Sequence, residues 1–462
     1  MMGFLGRERE FALLDEAYQK EGFAMASVTG RRGIGKTTLL HEFCRDKRSL
    51  FLSAKELKLE RNLEDFTKEV LERSGMPDLG SMISSANLQM LMAAIGRMAE
   101  SRAAGTGKLV VVIDGFTCLT QADEAFLPDF LRLTEYELSN KDLLFVVIGE
   151  IPAKQSLSFP LLRIRLEPFD YRTAALFTPS YSEEAKLLTY GVTGGVPGYL
   201  VLFDQEKAVM DHIRDLFFSV KGALLNETEN LLRQYYRNVA LYQTLITVIA
   251  RGAGRMNEIA KASYYETPVI SPAMKKLIAA GIVKKELSIL NEDSKRDSVY
   301  RISDSIFRFY YSLVSPGRSA IERGEGENYL ETVVKPALSD YMAVVFAEVC
   351  RQYTLLHWEG EDSAKEAGEW RRKDPATGVS DIIDVVAVCR ASNIARIGSC
   401  RYRKGSVEPE AVEKLEEKGR MLAIGVDRLY MFSSGGFYPS CLRKYRDDTR
   451  VELVTLKDLY EI

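Results

Sequence analysis

Eight consecutive residues, Gly30-Arg31-Arg32-Gly33-Ile34-Gly35-Lys36-Thr37, carry the clearest chemistry in the chain. Their spacing is G-x-x-x-x-G-K-[ST], in which glycines let successive backbone N–H groups turn toward phosphate oxygens. Lys36 adds a full positive charge near the β- and γ-phosphates, and Thr37 is placed to ligate Mg²⁺. Such a loop needs a strand before it and a helix after it. Phe23 to Thr29 reads as a short buried strand, and Thr38 to Cys44 continues as an apolar-periodic helix whose N-terminus favours anions. The expected ligands are therefore ATP or ADP, held by Gly30 through Thr38.

A second carboxylate-bearing element lies downstream. Lys108 to Ile113 is an apolar run suited to a buried parallel strand, and it ends in Asp114. An aspartate there reaches Mg²⁺ from the side opposite Thr37. The following position, where related ATPases place a glutamate to orient water, is Gly115. Nucleotide binding with slow hydrolysis is expected. A third buried strand, Leu143 to Ile148, leads into Gly149 and Glu150. Glu150 reads either as the missing general base or as a solvated residue after a strand. Lys36, Asp114 and Glu150 are thus the candidates for catalysis, and Thr37 and Asp114 for metal binding.

Composition sets the frame around these motifs. The chain has 462 residues, 46% of them hydrophobic and 27% charged, which fits three or four soluble domains. No apolar run approaches the ~20 residues of a membrane helix. The N-terminus lacks the apolar stretch of a signal peptide, so a cytoplasmic protein is expected. Six cysteines form no C-x-x-C pair and the three histidines are widely separated, which argues against a structural zinc site.

Charge is uneven along the chain. Residues 237–316 carry a net +5 within a protein of net charge −3. That segment has the pattern of a winged helix-turn-helix, with helices at Leu241 to Ala250, Met256 to Ala262 and Ser271 to Ala280. Alternating strands at Ile282 to Leu287 and Ser298 to Ile302 would form the wing around a polar tip, Asn291 to Asp297. Lys275 and Lys276 on the third helix, with Lys284, Lys285, Lys295 and Arg296 on the wing, would face duplex DNA phosphates. A winged helix used only for protein contacts is the alternative.

The expected order is a P-loop ATPase core over 1–170, a helical lid over 171–236, the winged helix over 237–316, and an α/β domain over 317–462. Ser315-Pro316-Gly317 and Gly324-Glu325-Gly326 read as hinge material before the last domain. There Val333 to Leu355 is largely helical, Asp381 to Val388 and Ala395 to Arg401 are strands, and Pro409 to Gly419 is a charged helix.

Together these pieces resemble the archaeal-type ATPases of the AAA+/STAND branch of P-loop proteins, which carry a winged helix and a C-terminal domain related to PD-(D/E)xK nucleases. The residues that carry the resemblance are Phe4-Leu5-Gly6-Arg7-Glu8-Arg9-Glu10, the loop at Gly30 to Thr37, Asp114, Leu166-Glu-Pro-Phe-Asp170 and Gly194-Gly-Val-Pro197. It continues through Tyr300-Arg-Ile-Ser-Asp304, Arg308-Phe-Tyr-Tyr311 and Ile321-Glu-Arg-Gly324. The resemblance implies an α/β fold: a parallel P-loop sheet, a helical lid, a winged helix and a restriction-endonuclease-like end. It also places Gly6, Arg7 and Pro197 at the adenine side of the nucleotide.

Where the resemblance expects an acidic pair followed by Glu-x-Lys, the chain keeps Asp384 but has Ile382, and then Ser399-Cys400-Arg401. On the preceding helix it has Phe346-Ala347 followed by Glu348. One retained aspartate is too little for metal-assisted cleavage, so a nuclease-like fold without cleavage is expected. The leading reading is a nucleotide-dependent switch that contacts DNA and has no membrane partner, and it is compatible with an oligomer. An ATP-dependent DNA-processing nuclease and an interaction scaffold are the alternatives.

Overall fold

The computed structural model describes residues 4–76, 86–101, 107–155, 157–290, 298–358, 360, 363–373 and 380–461. It divides into two compact units, one formed by Met1–Pro168 with Val196–Gly198 and the other by Phe169–Gly195 with Tyr199–Ile462.

The first unit is built on five parallel strands: β1 (Ala24–Thr29), β2 (Ser49–Ser53), β3 (Leu109–Asp114), β4 (Leu143–Ile148) and β5 (Leu161–Arg165), in the order β2-β3-β4-β1-β5. The unbroken apolar runs of β3 and β4 take inner positions because only inner strands of a parallel sheet are covered on both faces. Helices α1 (Glu8–Gln19), α2 (Lys36–Cys44), α3 (Leu59–Ser74), α4 (Leu88–Glu100) and α5 (Phe116–Ala122) accompany this sheet. In α3, Leu63, Phe66 and Val70 recur at helical spacing. They share one core with Leu91, Met92, Ile95 and Met98 of α4, together with Val111 and Phe145.

Strand β2 was not anticipated from the sequence. Its Ser-Leu-Phe-Leu-Ser run is short and alternating, and its pairing runs up to Ser53 opposite Asp114. The order of strands sets the site. The loop after β1, Asp114 at the end of β3 and Glu150 beyond β4 all lie at the carboxyl ends of adjacent strands, with β4 between the other two.

The second unit begins with mixed helices, among them α6 (Glu183–Thr193), capped by the Ser182 hydroxyl and ended by left-handed Gly194. Next come α7 (Val239–Ala250), α8 (Met256–Ser263) and α9 (Thr267–Ala279), and then β6 (Val283–Glu286) paired antiparallel with β7 (Val299–Ile302). Helix α9 starts four residues before its expected position. Pro268 falls in the first turn, where a missing N–H costs nothing.

Beyond β7, the first expected hinge segment is instead helical, while Gly324-Glu325 lies in the turn between two short helices. Ser315–Gly317 is a single 3₁₀ turn between helical segments. A Cβ on Gly317 would sit 2.2 Å from the Tyr329 ring, and one on Gly326 would sit 1.9 Å from the Phe218 carbonyl oxygen. These glycines permit close packing. Helices α10 (Ser305–Phe309) and α11 (Lys335–Leu356) lead to a second five-stranded sheet: β8 (Glu366–Lys373), β9 (Ser380–Cys389), β10 (Ile394–Arg401), β11 (Gly425–Ser433) and β12 (Val451–Thr455). Its order is β12-β11-β10-β9-β8, antiparallel from β8 to β10 and parallel from β10 to β12. Helix α12 (Pro409–Gly419) packs on it. No helix among the described residues is long and apolar enough to cross a membrane.

Candidate functional site

The loop between β1 and α2 turns through left-handed backbone at Gly33 (φ 77°) and Gly35 (φ 91°), with Gly30 at φ 143°. Glycine is required at Gly30 for a second reason: a Cβ there would lie 2.8 Å from the Leu166 carbonyl oxygen. Ile34 is fully buried and pins the loop, while Arg32 and Thr38 are exposed and Arg31 is half-buried. Lys36 bridges the loop from inside, its Nζ donating to the carbonyl oxygens of Gly30 at 2.8 Å and Arg31 at 2.9 Å. Burial lowers the Lys36 pKa, and the Asp114 carboxylate opposes that shift. The Thr37 hydroxyl donates to Asp114 Oδ2 at 2.7 Å, so the two candidate metal ligands already converge.

Hydroxyl, carboxylate and a glycine-turned loop suit Mg²⁺ and phosphate, because Mg²⁺ takes one or two protein oxygens alongside phosphate oxygens and water. Thr37 and Asp114 would hold the ion, and Lys36 with the backbone of Gly33 to Thr37 would hold the phosphates. The cation would supply charge neutralisation on the phosphate oxygens.

The structure explains why a glutamate is absent after Asp114. Gly115 is left-handed at φ 76°, and a Cβ on it would meet the Ala54 carbonyl oxygen at 2.8 Å. Ala54 is fixed there by its own N–H, which donates to the Asp114 carbonyl at 2.8 Å. Glu150 is exposed at the end of β4, following Gly149, whose carbonyl accepts from the Ser27 hydroxyl at 2.7 Å.

Gly6 and Arg7 are both left-handed, at φ 68° and 71°, and turn the chain onto the loop just before α1. The Arg7 side chain is buried, donates to the Ile34 carbonyl at 3.1 Å and pairs with Glu10 at 3.5 Å. Its pKa is lowered by burial, against the pull of Glu10 and Glu167. Arg7 therefore braces the backbone of the phosphate loop.

Val196 to Gly198 return to the same loop from far along the chain. Pro197 Cγ lies 3.9 Å from the point where a Gly35 Cβ would stand, and the Gly198 N–H donates to the Gly33 carbonyl at 2.9 Å. Gly198 was not singled out from the sequence. A glycine directly after a helix-opening proline was the available signal, since a Cβ there would press within 2.9 Å of Gly33.

The basic residues singled out between positions 237 and 316 divide into three groups. Lys275 and Lys276 are exposed on α9, and Lys285 is exposed with its ammonium 6.0 Å from the Tyr300 ring centre. Lys284 departs from the expected free phosphate-facing cation: it pairs with Glu286 at 2.7 Å and Glu348 at 3.7 Å. Lys295 and Arg296 lie outside the described residues.

In the C-terminal sheet, Asp384 Oδ2 accepts the Cys400 N–H at 2.8 Å and the Ser399 hydroxyl at 3.2 Å. Glu348 of α11 is held by both terminal nitrogens of Arg308, each at 2.8 Å. Burial works against the Glu348 carboxylate, but Arg308, Lys284 and Arg351 outweigh it and hold its pKa below the ordinary value. Ile382 is exposed, and the Arg401 guanidinium turns back to the Cys400 carbonyl at 3.4 Å. Among the described residues no group of three or more His, Cys, Asp or Glu side chains is placed to hold a metal ion.

Comparison with known proteins agrees with the first unit. Residues 3–147 match the model of the AAA ATPase domain, and residues 310–415 match a family described as archaea bacterial proteins of unknown function. An uncharacterized protein of Methanocaldococcus jannaschii, MJECL04, is 22% identical over 365 residues, covering 76% of this chain and 77% of its own. Among solved structures, the Walker-type ATPase PABY2304 of Pyrococcus abyssi is similar in fold at 16% identity. Its TM-score is 0.50, over 67% of this chain and 96% of that one. The chain thus carries an AAA-type ATPase domain at its N-terminal end.

Proposed function

We propose that the protein is a nucleotide-dependent switch. It binds ATP with Mg²⁺ through Gly30 to Thr38 and Asp114, hydrolyses it slowly, and contacts duplex DNA through the exposed face of α9. The observation that carries the reading is the 2.7 Å approach of Thr37 to Asp114 beside a position where left-handed Gly115 stands instead of a glutamate. A site complete for binding but lacking that base retains its ligand longer than it turns it over. A bound γ-phosphate would draw Lys36 from the Gly30 and Arg31 carbonyls and shift the loop that Arg7 and Gly198 brace. Lys275 and Lys276 are the cations best placed for the DNA contact, because both are exposed on α9.

Titration calorimetry tests the binding step. Wild type should bind ATP with Mg²⁺, and Lys36→Ala should lose most of that affinity while remaining folded. Equal affinity in a folded Lys36→Ala protein contradicts the assignment.

A further inference from the structure

Lys284 of β6 and Arg301 of β7 stand directly opposite each other in the two-stranded wing. Two like charges in that position repel, and a wing that grips a phosphate would use the anion to relieve the repulsion. Here carboxylates fill that place. Glu286 lies within 2.7 Å of Lys284 and 2.9 Å of Arg301, Glu348 of α11 lies 3.7 Å from Lys284, and Glu369 of β8 lies 3.5 Å from Arg301.

The backbone beyond β6 is docked as well. The Ile289 N–H donates to the Glu369 carbonyl at 3.0 Å, and the Arg371 N–H donates to the Ser288 hydroxyl at 2.8 Å, so the chain runs along the edge strand of the C-terminal sheet. The Ile289 side chain is buried in the core of that sheet with Trp370, Ile383 and Val386. A cleft of about 680 Å³ runs beside the ion pairs, giving water and salt access to them.

We propose that the C-terminal sheet domain is an intramolecular competitor for nucleic acid. Its Glu348 and Glu369 hold Lys284 and Arg301 in place of duplex phosphates, and the wing engages DNA only when it lifts from β8. The proposal rests on the DNA contact read above for α9. While the wing is docked, affinity for duplex is reduced by the fraction of molecules in which the wing is free. Salt acts on both sides of the balance, weakening the latch pairs and the DNA contacts alike.

The test is fluorescence anisotropy with a labelled duplex, comparing full-length wild type, Glu369→Gln and Ile289→Asp at several salt concentrations. Glu369→Gln preserves shape, whereas Ile289→Asp unseats the wing directly, and thermal unfolding of the full chain followed by circular dichroism serves as the check that the second unit of each is folded. Both variants should bind DNA at least ~10-fold more tightly. The dependence of log affinity on log salt should steepen by about 2, for the two wing cations released to phosphates. Adding Lys284→Ala and Arg301→Ala to Glu369→Gln should remove the gain.

If wild type binds DNA through Lys275 and Lys276 and neither variant changes affinity or slope, the latch is wrong and the α9 contact stands. If no protein binds duplex at low salt, the α9 contact is wrong and the latch falls with it.

Discussion

Placing after Asp114 the glutamate that the family resemblance expects there should damage the site. In Gly115→Glu the new residue must hold φ near 76°, a left-handed conformation that costs a side-chain-bearing residue roughly 1–2 kcal/mol. Its Cβ would also lie 2.8 Å from the Ala54 carbonyl oxygen, a backbone atom that cannot swing away because Ala54 is bonded to Asp114. Overpacking of this kind adds about 1–3 kcal/mol, for a total of about 2–5 kcal/mol. The strain falls on the residue next to Asp114, so the Thr37–Asp114 alignment is lost with it. Thermal unfolding and ATP turnover together measure this. The transition of the first unit should fall by roughly 2–4 °C per kcal/mol, and turnover should not rise. Gly115→Ala should cost nearly as much, because the strain resides in φ and Cβ. A Gly115→Glu protein as stable as wild type, turning over ATP at an ordinary ~10 s⁻¹, would refute the reasoning.

Two further outcomes are expected. Arg308→Met takes both hydrogen-bond donors from the half-buried Glu348 carboxylate and leaves it, among the described residues, only Lys284 at 3.7 Å, so it should cost about 3 kcal/mol in denaturant unfolding, the low end for a buried pair, with most of it recovered in Arg308→Met/Glu348→Leu. Because the Glu348 pKa lies below its unfolded value, this pair's contribution is full above the ordinary carboxylate pKa of 4.5 and is lost as pH falls through the folded value. Wild type should therefore lose stability on acidification more steeply than the Met/Leu double variant, and parallel acid titrations would count against the pair. The purified protein should show no Mg²⁺- or Mn²⁺-dependent cleavage of single- or double-stranded DNA, with or without ATP. Cleavage that disappears in Asp384→Ala would reverse that reading.

The phosphate loop was legible because its chemistry is local: glycines, lysine and threonine act through the backbone they sit on, and strand and helix periodicity flank them directly. The same holds for β3, β4 and helices α7, α8 and α9. What the sequence hid was non-local. Strand β2 has an alternation too short to separate from a turn, and its identity comes from pairing with β3. Gly317 and Gly326 look like flexible punctuation in one dimension, yet each makes room for a group many residues away. The charge on Lys284 was legible, but its neutralisation by Glu348, 64 positions downstream, was not. Gly115 is the most instructive case. Read as a missing base, it proves to be a backbone position that excludes any side chain.

Asp114 and Asp384 are the two strand-borne aspartates that the sequence singles out for a divalent cation, and their hydrogen-bond partners separate them. Asp114 accepts from the Thr37 hydroxyl, and a hydroxyl can rotate its proton away and offer its oxygen to the same cation. Binding there exchanges one interaction for two metal–oxygen contacts and leaves nothing unsatisfied. Asp384 accepts from the Cys400 backbone N–H and from buried Ser399. An amide N–H has no lone pair to give a metal, so a cation taking Asp384 Oδ2 strands that donor inside the sheet at about 1–3 kcal/mol. Glu348, the nearby acid on α11, cannot assist without abandoning Arg308 in a buried setting. Cation binding is thus favoured at the carboxylate beside the phosphate loop, whereas Oδ2 of Asp384 is already committed to two donors in the C-terminal sheet.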